Sequence, residues 1–334
     1  MSKASAARRL AAGAAFGGGG LGLLGGSFYG LLQAEARLAR RAIGPRQQDP
    51  PDASGVYGRG LAGEPIALAL LGDSSACGYG TEEPDETPGA MLAAGLADLA
   101  NRPVRITVEA AVGAESKHLD EQVDNALATG PDLAVIVVGA NDVTHSVRPA
   151  TSVRLLEEAV RRLRAGGCEV VVGTCPDLGS VQPIPSPLRQ VARVWSRRLA
   201  AGQTIAAVEA GGRTVSLGAL LGPDFEREPG HYFGPDRFHP SAAGYRSVVA
   251  AMLPSIAAAL GLAPESEDEP ETFRGEGVLP VSYAAAEAAE SAGTEVSGTE
   301  IAGRERGERG RWVALRHRRR RTLPEVDRVA DSAE

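Results

Sequence analysis

The chain has 334 residues, 43% of them hydrophobic and 23% charged, with 42 glycines and a formal net charge of −7. These values are ordinary for a globular protein and exclude wholesale disorder, a multi-span membrane protein and a collagen-like fibre. The length fits one good core with appendages, and the acidic balance gives no global reason to expect a nucleic-acid partner.

The N-terminal segment stands apart. From Leu10 to Gln33 the sequence runs 24 residues without a charge, preceded by Lys3, Arg8 and Arg9 and followed by Arg37, Arg40, Arg41 and Arg46. That length can span a bilayer, although nine of the 24 are glycine, so an isolated helix there would be weak in water. Three readings stay open: a membrane anchor, a cleaved secretory signal with Ala34-Glu35-Ala36 as its small-x-small site, or a soluble glycine-rich arm. Ala14, Gly18, Gly22, Gly26, Gly30 and Ala34 recur every four residues. On a helix they form a stripe of small side chains of the kind that lets two helices approach closely in lipid, so self-association is a further expectation. Basic residues flank both ends, which leaves the orientation open. Residues 1–43 therefore read as an anchor or signal-like segment, membrane-associated or exported, and residues 44–64, rich in Pro, Gly and polar side chains, as a linker.

Residues 65–262 read as one domain. Apolar runs of strand length, Ile66 to Leu71, Val104 to Val108, Leu133 to Val138, Val170 to Val172 and Thr214 to Leu217, alternate with helical patterns over 87–100, 116–128, 152–165, 188–210 and 241–260. This alternation predicts an α/β fold with right-handed crossovers and a parallel sheet covered by helices on both faces. Cys77, Cys168 and Cys175 form neither a CxxC pair nor a His/Cys cluster, so they are expected to be free thiols. No cofactor or metal site is expected.

Beyond Pro264 the composition shifts. Residues 265–300 carry a net charge of −9 and residues 301–334 a net +4. Apolar content is thin apart from Val278 to Val281 and Trp312 to Leu315, so residues 263–334 are expected to form a charged, mostly disordered tail, with Tyr283 to Ala292 a transient helix. The run Arg316 to Arg321 is expected to be solvated or paired with the acidic half upstream, with contact to anionic lipid or nucleic acid as the alternative.

Three clusters fall at the carboxyl ends of the expected strands, where an open α/β sheet presents its ligand site. They are Gly72-Asp73-Ser74-Ser75, Gly139-Ala140-Asn141-Asp142 and Asp236-Arg237-Phe238-His239-Pro240. Each alone reads as a turn or a helix cap. Together they supply what acyl transfer needs. Ser74 is the candidate nucleophile and His239 the base that accepts its proton. Asp236, three residues earlier, can accept the other ring N–H and fix the tautomer. The Ser74 backbone amide, the Asn141 side chain and the Gly113 amide, in the turn Ala111 to Ala114, are the candidate oxyanion donors, each worth roughly 2.7 to 4 kcal/mol. His118, His145, His231 and His317 are expected to be solvent-facing or locally hydrogen-bonded, with His145 and His231 placed to reach substrate.

Gly72-Asp73-Ser74, Gly113, Gly139-x-Asn141-Asp142 and Asp236-x-x-His239-Pro240 resemble the four blocks of the SGNH hydrolase superfamily, the GDSL-type esterases and lipases. The resemblance implies a flavodoxin-like three-layer α/β/α fold with a five-stranded parallel sheet. It also implies hydrolysis of carboxylic esters or thioesters through a covalent acyl-enzyme, with a catalytic triad and an oxyanion hole. Ser75 departs from the usual Leu after the nucleophile, and Glu109-Ala110 replace the common Asn upstream of Gly113. Alternatives are transfer of an acyl group to a sugar or lipid, removal of acetyl groups from a glycan, or a non-catalytic membrane-tethered scaffold. A nucleotide-binding reading lacks a glycine-rich phosphate loop after the first strand. Specificity is expected from the loops 77–88, 143–151 and 176–187. The last has Pro176, Pro183, Pro185 and Pro187 as a stiff wall, from which acyl length is not legible.

Overall fold

The computed structural model describes residues 27–44, 49–218, 225, 227–263, 269–301, 304, 311–323 and 326. Five strands form the centre of one sheet: β2 (Ile66–Gly72), β3 (Val104–Val108), β4 (Leu133–Val137), β5 (Glu169–Gly173) and β6 (Arg213–Val215). They run parallel in the order β3-β2-β4-β5-β6. Their aliphatic runs are buried on both faces because helices cover both. Along β2, Leu68 and Leu70 face one core with Met91, Leu92, Leu96, Met252 and Leu253. The intervening Ala69 and Leu71 face the other with Leu119, Val123, Leu156 and Leu163.

The first core lies under helix α3 (Pro88–Ala100) and helix α9 (Ala242–Ala259), the second under α4 (Leu119–Ala128) and α6 (Pro149–Ala165). Local chemistry sets their starts. Thr87 accepts the Ala90 amide at 3.2 Å with Pro88 in the first turn, and Ser241 accepts the Gly244 amide at 3.2 Å. Helix α9 is long and apolar enough to cross a membrane by composition, but it is a core helix of this domain, with 67% of its apolar window buried. Helix α7 (Leu188–Glu209) completes the layer. Three shorter helices, α2 (Ser74–Cys77), α5 (Ala140–Thr144) and α8 (Pro229–Tyr232), lie near the carboxyl edge of the sheet. All three cysteines are free and buried.

The structure departs from the sequence expectation at both ends of the sheet. Within the segment read as a linker, β1 (Gly55–Tyr57) pairs antiparallel with β3. The segment read as a disordered tail supplies β7 (Gly277–Pro280), helix α10 (Val281–Glu290), β8 (Thr294–Gly298) and β9 (Trp312–His317). The sheet thereby grows to nine strands, β1-β3-β2-β4-β5-β6-β8-β9-β7, with β8 antiparallel to β6. Two features seat the C-terminal strands: an apolar cluster of Val281, Ala284, Ala288, Val296, Val313 and Leu315 against Val208 of the helix over residues 188–209, and charge pairing. Glu295, fully buried, meets Arg213 at 3.0 Å and Arg318 at 2.8 Å, with Arg316 at 3.6 Å, so the acidic and basic halves neutralise one another on the edge of β6. Burial alone would raise the Glu295 carboxyl, but the Arg318 and Arg213 guanidinium groups lower it to about 2.

The uncharged run falls mostly outside the described residues, as do Ala14, Gly18, Gly22 and Gly26 of the small-residue stripe. What is described begins with a helix, α1, over residues 27–43. Phe28, Tyr29 and Leu31 on it are exposed, whereas Glu35 and Ala39 are buried against the domain.

Candidate active site

Each of the three clusters sits where a central strand ends. Strand β2 stops at Gly72, whose φ of +135° and closeness to β4 admit no side chain, since a Cβ there would lie 1.9 Å from the Val137 carbonyl oxygen. Gln122 from α4 clamps this corner, accepting the Gly72 N–H at 2.8 Å and donating to its C=O at 2.9 Å. Asp73 then caps α2 by accepting the Ser75 amide at 2.9 Å. That places Ser74 as the first residue of a one-turn helix, largely buried at the edge of the sheet.

Strand β4 leads through Gly139, with φ of +134°, into α5. A Cβ on Gly139 would come within 3.0 Å of the Cys175 Cβ and 3.1 Å of Gln203 Nε2. Gln203 occupies that space to accept the Cys175 amide at 2.7 Å and donate to the Val138 carbonyl at 2.9 Å, which ties the ends of β4 and β5 together. Asn141, on the first turn of α5, donates from Nδ2 to the Ala114 carbonyl at 2.9 Å. Gly113 lies beside that carbonyl in a turn closed by the Ala114 amide on Ala111, 3.0 Å. The second and third oxyanion candidates are thus joined, with one Asn141 amide hydrogen left over. Asp142, also buried, holds the surroundings by accepting from Ser152 Oγ at 2.7 Å and from the Ser116 amide at 3.1 Å.

The third cluster is a tight loop ahead of α9. Asp236 Oδ1 accepts the amides of Phe238 and His239 at 2.9 and 3.0 Å, and its Oδ2 meets His239 Nδ1 at 2.6 Å. On the other side of the ring, His239 Nε2 lies 2.9 Å from Ser74 Oγ, across 165 positions of sequence. With Asp236 as acceptor on Nδ1, the neutral ring carries its proton there and presents a lone pair to the serine hydroxyl.

Electrostatics separate the two carboxylates near Ser74. Burial would push Asp236 up, but the hydrogen bonds from the His239 ring and the Phe238 amide outweigh it and hold this carboxyl below its ordinary value. Asp73, fully enclosed, is pushed up to about 6 by burial against the lowering effect of the Ser75 amide and the His239 charge. Asp236 is therefore the ionised partner of the imidazole at neutral pH, and Asp73 serves the backbone.

Sequence reasoning missed the support around the ring. Tyr79 packs on His239 with ring centroids 4.5 Å apart, and Phe238 meets its other side edge-on at 4.8 Å. Tyr245 of α9 donates its hydroxyl to the Tyr79 carbonyl at 2.8 Å. Burial holds the Tyr245 phenol well above its usual range, so it remains a donor. The remaining histidines stand elsewhere. His145 is 3.1 Å from Glu115, His118 Nδ1 accepts the Glu115 amide at 2.9 Å, and His317 contacts Thr294 at 3.0 Å. His231 stands edge-on to Tyr232.

Two spaces border the ring. An apolar recess of about 50 Å³ runs past Ala140, Leu178, Val181 and Phe238 toward Tyr245 and Met252. A separate open cleft of about 450 Å³ has His239, Asp236 and Tyr79 in its lining.

Residues 70–247 match the model of the GDSL-like Lipase/Acylhydrolase family. A GDSL-like esterase of Mycobacterium tuberculosis is 43% identical over 243 residues, spanning 68% of this chain and 77% of the relative. Among solved structures, TesA is similar at 21% identity with a TM-score of 0.46, covering 58% of this chain and 99% of that one. A lipase/acylhydrolase from Enterococcus faecalis is similar at 21% identity and a TM-score of 0.42, covering 57% and 95%.

Proposed function

The chain belongs to the GDSL-like lipase/acylhydrolase family and is a serine ester hydrolase, and from that premise we propose that it works through an acyl-enzyme on Ser74 and takes short acyl groups. The observation that carries the mechanism is the hydrogen-bonded line Ser74 Oγ, His239, Asp236, at 2.9 and 2.6 Å. Ser74 attacks the ester carbonyl as His239 Nε2 takes its proton, and the imidazolium that forms is stabilised by the ionised Asp236. The oxyanion is received by the Ser74 and Gly113 amides and the second Asn141 amide hydrogen. His239 then gives its proton to the departing alcohol; a water that the same base deprotonates attacks the acyl carbonyl, and the bond to Ser74 Oγ breaks as His239 returns the proton to it, releasing the acid.

Acyl size follows from the recess. A cavity of about 150 Å³ accommodates benzene. The recess here, about 50 Å³, is a third of that and suits an acyl group of roughly two carbons. The test uses p-nitrophenyl esters of increasing chain length and a fluorophosphonate probe. Expected are a kcat/KM that falls from acetate to octanoate, and stoichiometric labelling that vanishes in Ser74→Ala. Activity that climbs with chain length would remove the short-acyl reading, and labelling that persists in Ser74→Ala would remove the mechanism.

We further read the uncharged run as a membrane-holding segment, because it continues into α1, where Phe28, Tyr29 and Leu31 stand exposed. Fractionation of cells expressing the full chain should place it with membranes, and the Leu21→Lys, Leu24→Lys variant in the soluble fraction. Full chain found wholly in the soluble fraction contradicts this reading.

A further inference from the structure

Two of the oxyanion donors, the Gly113 amide and the Asn141 side chain, stand on separate pieces of chain, and three consecutive residues hold those pieces together. Residues 109–115 have no regular backbone structure. The Ala111 amide reaches the Gly72 carbonyl at 3.1 Å. Gly113 lies two residues beyond that tie, exposed, with φ of +84° and open space where a Cβ would stand. From there Ala114, Glu115 and Ser116 each grip α5 or its cap. The Ala114 carbonyl accepts Asn141 Nδ2 at 2.9 Å, the Ser116 amide donates to Asp142 at 3.1 Å, and Glu115 Oε1 meets His145 Nδ1 at 3.1 Å. His145 caps α5, its amide on the Asn141 carbonyl at 2.9 Å. Four residues on from Asn141, it lies on the same side of the helix, so the third grip falls one turn from the donor.

Glu115 is itself fixed from several directions. Its amide donates to His118 Nδ1 at 2.9 Å, its carbonyl accepts the His118 amide at 2.9 Å, and its second carboxylate oxygen meets Lys117 Nζ at 3.1 Å. Burial would push the carboxyl up, but the Lys117 and His145 hydrogen bonds outweigh it and hold the group below its ordinary value. An ionised carboxylate only accepts, so the His145 ring proton stands on Nδ1. The Glu115 side chain is 15% exposed and that of His145 50%, so the pair can be cut from its outer end without opening a buried site.

An oxyanion hole works by preorganisation, with donors about 2.7 to 3.1 Å from the place where charge develops. A misplacement of about 1 Å costs on the order of 10²-fold in rate. Gly113 offers a backbone amide that moves only with its turn, and Asn141 is carried by α5. Their convergence therefore depends on how the turn sits against the helix.

We propose that Glu115, through its bond to His145, is a positioning residue that sets the Gly113 turn against α5, so that the Gly113 and Asn141 donors converge on one oxyanion. The proposal rests on the serine mechanism and the oxyanion donors above. Its signature is a loss in kcat rather than a rise in KM, because the alignment matters once negative charge has formed.

The experiment measures kcat and KM of the full chain on p-nitrophenyl acetate, with urea midpoints as the control for folding. Glu115→Ala should lower kcat about thirtyfold with KM within about threefold, less than the roughly 10²- to 10³-fold that deleting a donor costs. His145→Ala should reproduce that loss and carries the test if Glu115→Ala does not fold. The double variant should lose no more than about twofold beyond either single one, since all remove the same bond. Glu115→Gln keeps an oxygen for His145 and should recover kcat to within about fivefold of wild type. In Asn141→Ala, where one of the two donors is already gone, adding Glu115→Ala should cost less than about threefold further. A merely structural Glu115 would instead multiply its full loss onto that of Asn141→Ala, and that result overturns the proposal. Folded Glu115→Ala and His145→Ala proteins with kcat within about threefold of wild type overturn it as well. Undiminished kcat in Asn141→Ala, or a wild type unlabelled by fluorophosphonate, strikes the oxyanion assignment or the mechanism beneath the proposal, and the proposal with it.

Discussion

Replacing Asp236 by asparagine exchanges one oxygen for an NH₂ group and reverses one hydrogen bond. Oδ1 accepts two amides, Phe238 at 2.9 Å and His239 at 3.0 Å, and an asparagine oxygen can keep both. That fixes the new NH₂ group where Oδ2 now meets His239 Nδ1 at 2.6 Å. A donor facing Nδ1 forces the ring proton onto Nε2, which then donates toward Ser74 and cannot take its proton. Loss of the correct tautomer in a Ser-His-Asp arrangement lowers turnover about 10⁴-fold, or about 5.4 kcal/mol of barrier at about 1.36 kcal/mol per decade. The assay is kcat on p-nitrophenyl acetate, with urea unfolding as the control. Asp236→Asn should unfold within about 0.5 kcal/mol of wild type because both amides stay bonded. Asp236→Ala orphans them and should lose about 1 to 3 kcal/mol as well. An Asp236→Asn protein that keeps kcat within tenfold of wild type would refute the tautomer argument.

Two buried carboxyls predict opposite pH dependences. Asp73 has its folded value raised to about 6 from an ordinary 3.8, so its contribution is intact below about pH 4 and is lost as pH rises through 6, about 3 kcal/mol in all. Asp73→Asn keeps an acceptor for the Ser75 amide and removes the charge. Urea midpoints should show it more stable than wild type at pH 7.5 with no gain at pH 4, and no gain at either pH contradicts the assignment. Glu295 is lowered to about 2 from 4.5, so its contribution, also about 3 kcal/mol, is present above about pH 4.5 and is lost as pH falls toward 2. Glu295→Gln should cost about 3 to 5 kcal/mol at pH 7, because it leaves Arg213, Arg316 and Arg318 around an uncharged group. A thermal midpoint in Glu295→Gln equal to wild type at pH 7 would contradict the pairing account of the C-terminal strands.

The candidate site was legible because its parts are local. Gly72-Asp73-Ser74 and Gly139-Ala140-Asn141-Asp142 each follow a strand whose apolar run is plain, and Asp236 to His239 is a short loop with a cap at Ser241. The central strands and the helices over them were legible for the same reason, with period and punctuation agreeing. What sequence reasoning lost depends on distant partners. Strand β8 reads Thr-Glu-Val-Ser-Gly, too polar to announce itself. It is buried because Val296 joins an apolar cluster with Val208, Val313 and Leu315, and because Arg213, Arg316 and Arg318 meet Glu295. The apolar pieces Val278 to Val281 and Trp312 to Leu315 were visible, but their antiparallel pairing with one another was not. Tyr79 lies inside a loop expected to set specificity, and nothing in its neighbours indicates that it packs, tilted, against His239. Helix α1 was hidden by the uncharged run it continues. Ala39 and Glu35 look unremarkable until α5 and α7 are in place.

The central claim is covalent chemistry at one serine, and rapid-quench mass spectrometry of the full chain mixed with p-nitrophenyl acetate tests it most directly. The account predicts a single acetyl adduct that maps to Ser74 during turnover and is absent from Ser74→Ala. Turnover with no adduct, or an adduct on any other residue, would contradict it.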